Sequence, residues 1–227
     1  LQPELLWKVL SMRIVAFSGP KYCGKDTAAK GLFIQNDAHK MQLFRHAMMA
    51  EGVKEVCKTA FGYTDEHFSD PVLKETKTDF FPFIEPRWPL MDVANWFRDK
   101  YGGNVWVHRW ERLAKENDED WACHVMTDLR FPEELEMLAR YGALILYVER
   151  NEAEEALRLK RESGNAMALN VSESHYGLIR EHATAVVDNN GTIAQLHGQV
   201  QALVVKHYGH WNYWKASTLP ERYSLHV

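Results

Sequence analysis

The sequence predicts an α/β fold: a parallel sheet with helices on both faces and a small lid. Three observations carry this. Short apolar strands alternate with helical stretches along the whole chain, the pattern of βαβ units. The first strand, Ile14-Val15-Ala16-Phe17, is a continuous apolar run that leads through a glycine-bracketed loop into a helix. The length of 227 residues suits one α/β domain with a small insertion.

The elements follow in order. After the first loop, helix signals run over 26–35, and a second strand is expected over 40–44. Residues 51–61 read as helix because Val53, Val56, Cys57 and Ala60 fall on one face at helical spacing. The stretch 64–83 is mixed, broken by Asp70-Pro71 and Pro82. Two helices, 90–101 and 105–116, flank the turn Gly102-Gly103-Asn104. A strand over 121–126, a helix over 132–141 and a strand over 144–148 come next. A charged helix covers 152–162, followed by a small-residue loop at 164–170, a credible hinge. Ser172-Glu173 reads as the cap and first-turn acid of a further helix. A last strand over 183–187, the turn Asn189-Asn190-Gly191 and a helix over 192–207 close the fold. The organisation expected is an N-terminal extension (1–12), a domain over 13–210 with its lid at about 150–172, and an aromatic tail (211–227). The tail, with Trp211, Tyr213 and Trp214, packs against the domain or against a second copy in a homodimer.

Composition narrows the function classes. Hydrophobic content of 46% and charged content of 26% are ordinary for a globular protein. A net charge of −4 argues against a generic nucleic-acid coat. Cys23, Cys57 and Cys123 have no metal-ligand spacing and read as reduced thiols, which points to the cytoplasm. No apolar run reaches the length of a membrane span and 1–11 lack a signal-peptide pattern, so neither a membrane nor a nucleic-acid polymer is expected as partner. His197, His207 and His210 fall close together late in the chain, but their spacing is no metal motif and a solvated helix end is the expectation.

The segment Gly19-Pro20-Lys21-Tyr22-Cys23-Gly24-Lys25-Asp26-Thr27 fits G-x-x-x-x-G-K between a strand and a helix. Backbone N–H groups in such a loop form a nest, the helix N-terminus adds partial positive charge, and the lysine reaches outer phosphates, so a nucleoside triphosphate is the expected ligand. Asp26 stands where a metal-ligating hydroxyl is usual. Its carboxylate suits Mg²⁺, held directly or through water; the alternative is a first-turn acid favoured by the helix dipole.

Four stretches together resemble the phage-type deoxynucleoside monophosphate kinases, a branch of the P-loop kinases. They are Phe17-Ser18-Gly19 through Thr27; Thr127-Asp128-Leu129-Arg130 with Glu134 and Tyr141-Gly142-Ala143; Val171-Ser172-Glu173; and Val187-Asp188-Asn189-Asn190-Gly191. Animal phosphomevalonate kinases share a similar loop and D-x-R turn, so another small phosphorylated acceptor is the nearest rival; a nucleotide-sensing or ATPase module is the rival from another class. The chain departs from the family at Val93-Ala94-Asn95-Trp96 and at Asn170, both in regions tied to acceptor recognition. The resemblance implies ATP and a deoxynucleoside monophosphate (dNMP) as substrates, Mg²⁺ as cofactor, and a phage protein acting in host cytoplasm.

On this reading Gly19, Lys21, Cys23, Gly24, Lys25, Asp26, Thr27 and Arg150 bind ATP. Lys25, Asp128, Arg130, Arg158 and Arg161 serve transfer, with Asp26 and Asp128 at the metal. Asp128 and Arg130 follow a strand at the carboxyl edge of the sheet, and an arginine fork grips phosphate well. The bland alternative is an Asp–Arg pair capping the next helix, whose first turn carries Pro132 and whose Glu134 fixes Arg130. Arg158 and Arg161 share a helix face as lid arginines, or Arg158 makes an exposed pair with Glu154. Arg45, Arg87, Arg98, Trp96 and Glu173 are the acceptor candidates, with Trp88 and Trp106 as further base platforms, although tryptophans at helical spacing are more often core.

Overall fold

The structure, a computed structural model, describes residues 12–39, 42–116, 122–162 and 174–211, with the backbone alone for 160–162. Contacts divide it into two compact units, of which the second is 48–116 and the first is the remainder.

The first unit holds a five-stranded, all-parallel sheet. Its strands are β1 (Arg13–Ser18), β2 (Phe44–His46), β3 (Cys123–Met126), β4 (Leu144–Glu149) and β5 (Ala185–Asp188), in the order β2-β3-β1-β4-β5. The α/β parallel-sheet expectation therefore holds. In β1, Ile14 to Ser18 are buried throughout, as both-face coverage demands. On one face α1 (Lys25–His39) and the closing helix α9 (Ile193–Tyr208) bury Val15, Phe17, Cys123, Val125, Leu144 and Leu146 together with Ala28, Leu32, Leu196 and Val200. The two helices meet closely because Gly31 lacks a side chain: a Cβ there would lie 2.7 Å from the His197 ring. Gln201 Nε2 donates to Gly31 O (2.8 Å) and His197 Nε2 bonds Thr27 O (2.9 Å). His197 is thus half-buried packing rather than the solvated helix end expected from sequence.

Other boundaries have local causes. α9 begins with a capping box: Thr192 Oγ1 accepts from Gln195 N (3.2 Å) and Gln195 Oε1 from Thr192 N (2.8 Å). At its far end Tyr208 Oη donates to Ile14 O (2.7 Å) and accepts from Ile14 N and Leu144 N (3.1 Å each), tying the starts of β1 and β4. α1 runs to His39, past the expected end, where Trp211 Nε1 donates to its imidazole (3.2 Å). Trp211 itself, assigned from sequence to the tail, is buried in the core edge-on to Phe44. The second strand is Phe44–His46, later than the 40–44 expected, because register with β3 starts at Phe44↔Cys123. Asn36 takes both backbone groups of Phe44 on its outer side, at 2.8 and 2.7 Å. After β3 and β4 come α6 (Pro132–Arg140) and α7 (Asn151–Glu162); α8 (Tyr176–Glu181) precedes β5. The 164–170 hinge and the Ser172-Glu173 cap lie outside the described residues.

The second unit comprises α2 (Glu51–Phe61), α3 (Glu66–Ser69), a 3₁₀ turn (Leu73–Glu75), α4 (Arg87–Tyr101) and α5 (Val105–Glu116). Its own core gathers Val53, Cys57, Tyr63, Phe68 and Trp106, with Leu90, Val93 and Phe97 packed against them. Gly62 ends α2 in the left-handed region at φ 75°, its N–H bonded to Lys58 O, a conformation glycine adopts without a Cβ penalty. No helix among the described residues is long and apolar enough to cross a membrane.

Candidate active site

Because all strands are parallel, Ser18, His46, Met126, Glu149 and Asp188 end at one edge of the sheet. β1 lies between β3 and β4, so the loop after it emerges where strand order switches direction, the place where open α/β sheets bind ligands. The structure puts Gly19–Thr27 there and builds the loop from both sides.

Lys25 opens α1 and folds back over its own loop. Its Nζ donates to Gly19 O (2.7 Å) and Pro20 O (2.9 Å) and lies 3.7 Å from Cys23 Sγ. Desolvation lowers its pKa, Cys23 counteracts this, and the nearby Arg130 charge adds to the lowering. Such an ammonium gains from an arriving anion. Burial raises the Cys23 thiol, so its sulfur acts as packing, fully buried beneath the loop. Gly19 (φ +136°) is needed because a Cβ would meet Val148 O at 2.5 Å and Cys23 Sγ at 2.8 Å. Gly24 (φ +96°) leaves room for the Asn189 amide, which a Cβ would strike. Tyr22 at the loop's tip also has positive φ (70°), its exposed ring under Lys21 Nζ at 4.8 Å. At the helix start Ala28 N donates to Gly24 O (2.9 Å), which leaves the N–H groups of Lys25, Asp26 and Thr27 without an intrahelical acceptor, as at any helix N-terminus.

The loop after β3 meets it. Thr127, 5% exposed, donates from Oγ1 to Asp26 Oδ1 at 2.7 Å, and Ser18 Oγ donates to Leu129 O at 2.9 Å. Asp128 is buried beside them and Arg130 is exposed. Glu134, 2% exposed, accepts the backbone N–H groups of Arg130 (2.7 Å) and Phe131 (3.1 Å), so it caps α6 and sets the turn that presents Arg130. The capping of this turn is thus the work of Glu134, as expected from sequence.

Beyond β4, Arg150 pairs with Glu152 (2.6 Å) and Arg158 with Glu155 (2.6 Å), all on the surface. The expected Arg158 partner, Glu154, instead accepts from the buried Tyr147 hydroxyl at 2.9 Å. Arg161 lies on α7, its side chain outside the described residues, as is Glu173.

Arg45 sits in β2, half-buried, with Nη2 3.3 Å from His124 Nε2 on the adjacent strand. Burial, and then Arg45, push His124 down to about 4, so the ring is neutral and accepts from the guanidinium. In the second unit Arg87 donates to Glu75 (2.8 Å), Arg98 is half-buried and Trp96 is 55% exposed, edge-on to Phe97 and Tyr101. All three lie on α4, where Arg87 and Arg98, three turns apart, share a face and Trp96 lies on the opposite one. Trp106 is core, not a base platform: it is 4% exposed and its indole donates to Ala94 O (3.2 Å).

Two contributors were not singled out from sequence, Thr127 and Asn189. Both lie in stretches that carried the resemblance, but nothing in their spacing says which atom of the loop they touch. Among the described residues no three His, Cys, Asp or Glu side chains gather around a point that would suit a metal ion. Mg²⁺ is commonly held by one or two carboxylates plus substrate phosphates and water. Asp26 is exposed and uses one oxygen on Thr127, so lone pairs remain for a hard cation.

No protein-family profile and no curated protein matches the sequence. Solved structures do. Shikimate kinase from Acinetobacter baumannii, in complex with shikimate, aligns over 91% of this chain and 99% of its own at 14% identity and a TM-score of 0.44. The YorR protein of Bacillus subtilis, in complex with phosphorylated GDP, aligns over 87% and 99% at 13% identity and a TM-score of 0.34. Sheet order and loop geometry define the fold without them.

Proposed function

We propose that the chain transfers the γ-phosphoryl group of ATP to a deoxynucleoside monophosphate, giving ADP and the diphosphate. The supporting observation is the loop after β1: a lysine ammonium held over it by two carbonyls, three helix N–H groups, and Arg130 close enough to depress the lysine's pKa. A site built this way serves a bound polyphosphate, since transfer needs aligned phosphates and cations that spread developing charge. The acceptor assignment rests on the sequence resemblance.

In this reading an acceptor phosphate oxygen attacks the γ-phosphorus in line, and the bond to the β–γ bridging oxygen breaks. Lys25 neutralises the outer phosphates and Thr27 bonds the α-phosphate. Lys21, Cys23 and the two glycines shape the loop, and Arg150 is a further ATP-binding residue. Asp26 and Asp128 would hold Mg²⁺, which would supply charge neutralisation for the phosphates. Arg130, Arg158 and Arg161 stabilise the transferring group, and Arg45 takes the acceptor phosphate. Arg87, Trp96, Arg98 and Glu173 remain candidates for the rest of the acceptor.

The test is ADP release with ATP, Mg²⁺ and a panel of dNMPs, ribonucleoside monophosphates and phosphomevalonate, scored against a no-acceptor blank. Stimulation by dNMPs is expected. Stimulation by phosphomevalonate alone would move the chain to the rival kinase, and release indifferent to every acceptor would make it an ATPase or sensor.

A further inference from the structure

The turn after β5 reaches back to the phosphate loop. Asn189 Nδ2 donates to Cys23 O at 2.7 Å, across 166 residues of sequence. Asn189 is itself fixed to the sheet, its backbone N–H bonded to Glu149 O at 2.8 Å. The amide seats only because Gly24 has no side chain. In a trans peptide the carbonyl and the following N–H point in opposite directions. Pinning Cys23 O on the Asn189 side therefore aims the Gly24 N–H the other way, away from Asn189. The neighbouring Asn190 accepts the first N–H of α7 (Asn151 N, 2.9 Å) and is braced by Asp188 Oδ1, which accepts its backbone N–H at 3.0 Å. Adjacent residues of one short turn thus hold the phosphate loop and the start of the helix that carries Arg158.

We infer that Asn189 is a positioning residue for nucleotide binding, which orients the Cys23–Gly24 peptide so that its N–H donates to phosphate. This rests on the proposed use of the loop for ATP. Asn189 touches no reacting atom; it acts through the backbone of Gly24.

Two substitutions test it in the full chain. Asn189→Ala removes the donor, and Asn189→Asp keeps the shape but sets a carboxylate against Cys23 O and near the triphosphate. Binding of a non-hydrolysable ATP analogue with Mg²⁺ is measured without acceptor, alongside KM and kcat for both substrates and the melting temperature. A lost orienting hydrogen bond should weaken analogue binding and raise the ATP KM about tenfold in Asn189→Ala. The acceptor KM should stay within twofold. Asn189→Asp should lose more, with the excess over alanine shrinking as ionic strength rises, because that part is charge repulsion. Rescue by salt confined to the aspartate variant is not what a merely structural residue would produce. If wild type binds the analogue and both variants, still folded by melting temperature, bind it within twofold, the inference fails while the kinase reading stands. Loss of both substrates' affinities in parallel with melting temperature would also overturn it, as a stability effect. A wild type that binds no analogue would remove the kinase reading and this inference together.

Discussion

The phosphate loop and the arginine-bearing helix α7 leave adjacent strands at the same sheet edge, yet they are held in opposite ways. The loop is braced by Lys25 on Gly19 and Pro20, by Asn189 on Cys23, by Thr127 on Asp26, and by two glycines whose neighbours sit where a Cβ would be. The arginines of α7 and its entry make exposed pairs with residues two or three positions away, Arg150 with Glu152 and Arg158 with Glu155. Exposed pairs of that kind are worth about 0.2–1 kcal/mol. The contrast separates a loop fixed by many distant partners from arginines whose local pairs cost little to exchange.

The sharpest way to break the first half of the contrast is Lys25→Ala, which should cut turnover by at least about 10²-fold with the fold retained by circular dichroism. Near-normal turnover in a folded variant would take Lys25 out of the chemistry. Next in size is Gly24→Ala. It forces a Cβ into the left-handed region at φ +96° and against the Asn189 amide, so ATP affinity should fall roughly 10- to 100-fold, consistent with a backbone penalty of about 1–3 kcal/mol. Titration calorimetry with an ATP analogue reads this directly, and unchanged affinity would mean that the loop is not held as described.

His124 offers a pH test of the sheet beneath the site. Its pKa is depressed from 6.5 to about 4, by burial first and Arg45 second, so the unfolded chain binds a proton that the folded chain refuses. Its contribution is fully present above pH 6.5 and is lost as pH falls toward 4, about 2 kcal/mol of it between pH 7 and pH 5. Denaturant melts of His124→Gln should show a flatter acid limb than wild type over that window; parallel curves would contradict the assignment. The smallest expected effect on stability is that of Arg158→Ala, within about 0.5 kcal/mol because its pair with Glu155 is exposed. If α7 acts as a lid, turnover should nonetheless fall about tenfold while melting is unchanged. Unchanged turnover would return Arg158 to the solvent.

Much of this was legible in the residues. The apolar strand, the spacing Gly19 to Gly24-Lys25 and the βα alternation fix a parallel sheet with a glycine-bracketed loop between β1 and α1, because strand burial and the dihedral needs of that loop are local demands. The helix over 51–61 follows from side-chain period and that over 105–116 from the glycine turn before it, and both fall at those bounds. Tertiary structure decided what touches the loop. Asn189 lies 166 residues from Cys23, Thr127 101 from Asp26 and His197 170 from Thr27. It also exchanged Glu154 for Glu155 at Arg158, since the Tyr147 hydroxyl claims the former, and buried Trp106 and Trp211. Such pairings depend on which strand ends meet at one sheet edge, and hydrophobic pattern and propensity, which report on a residue's immediate neighbours, carry no record of that.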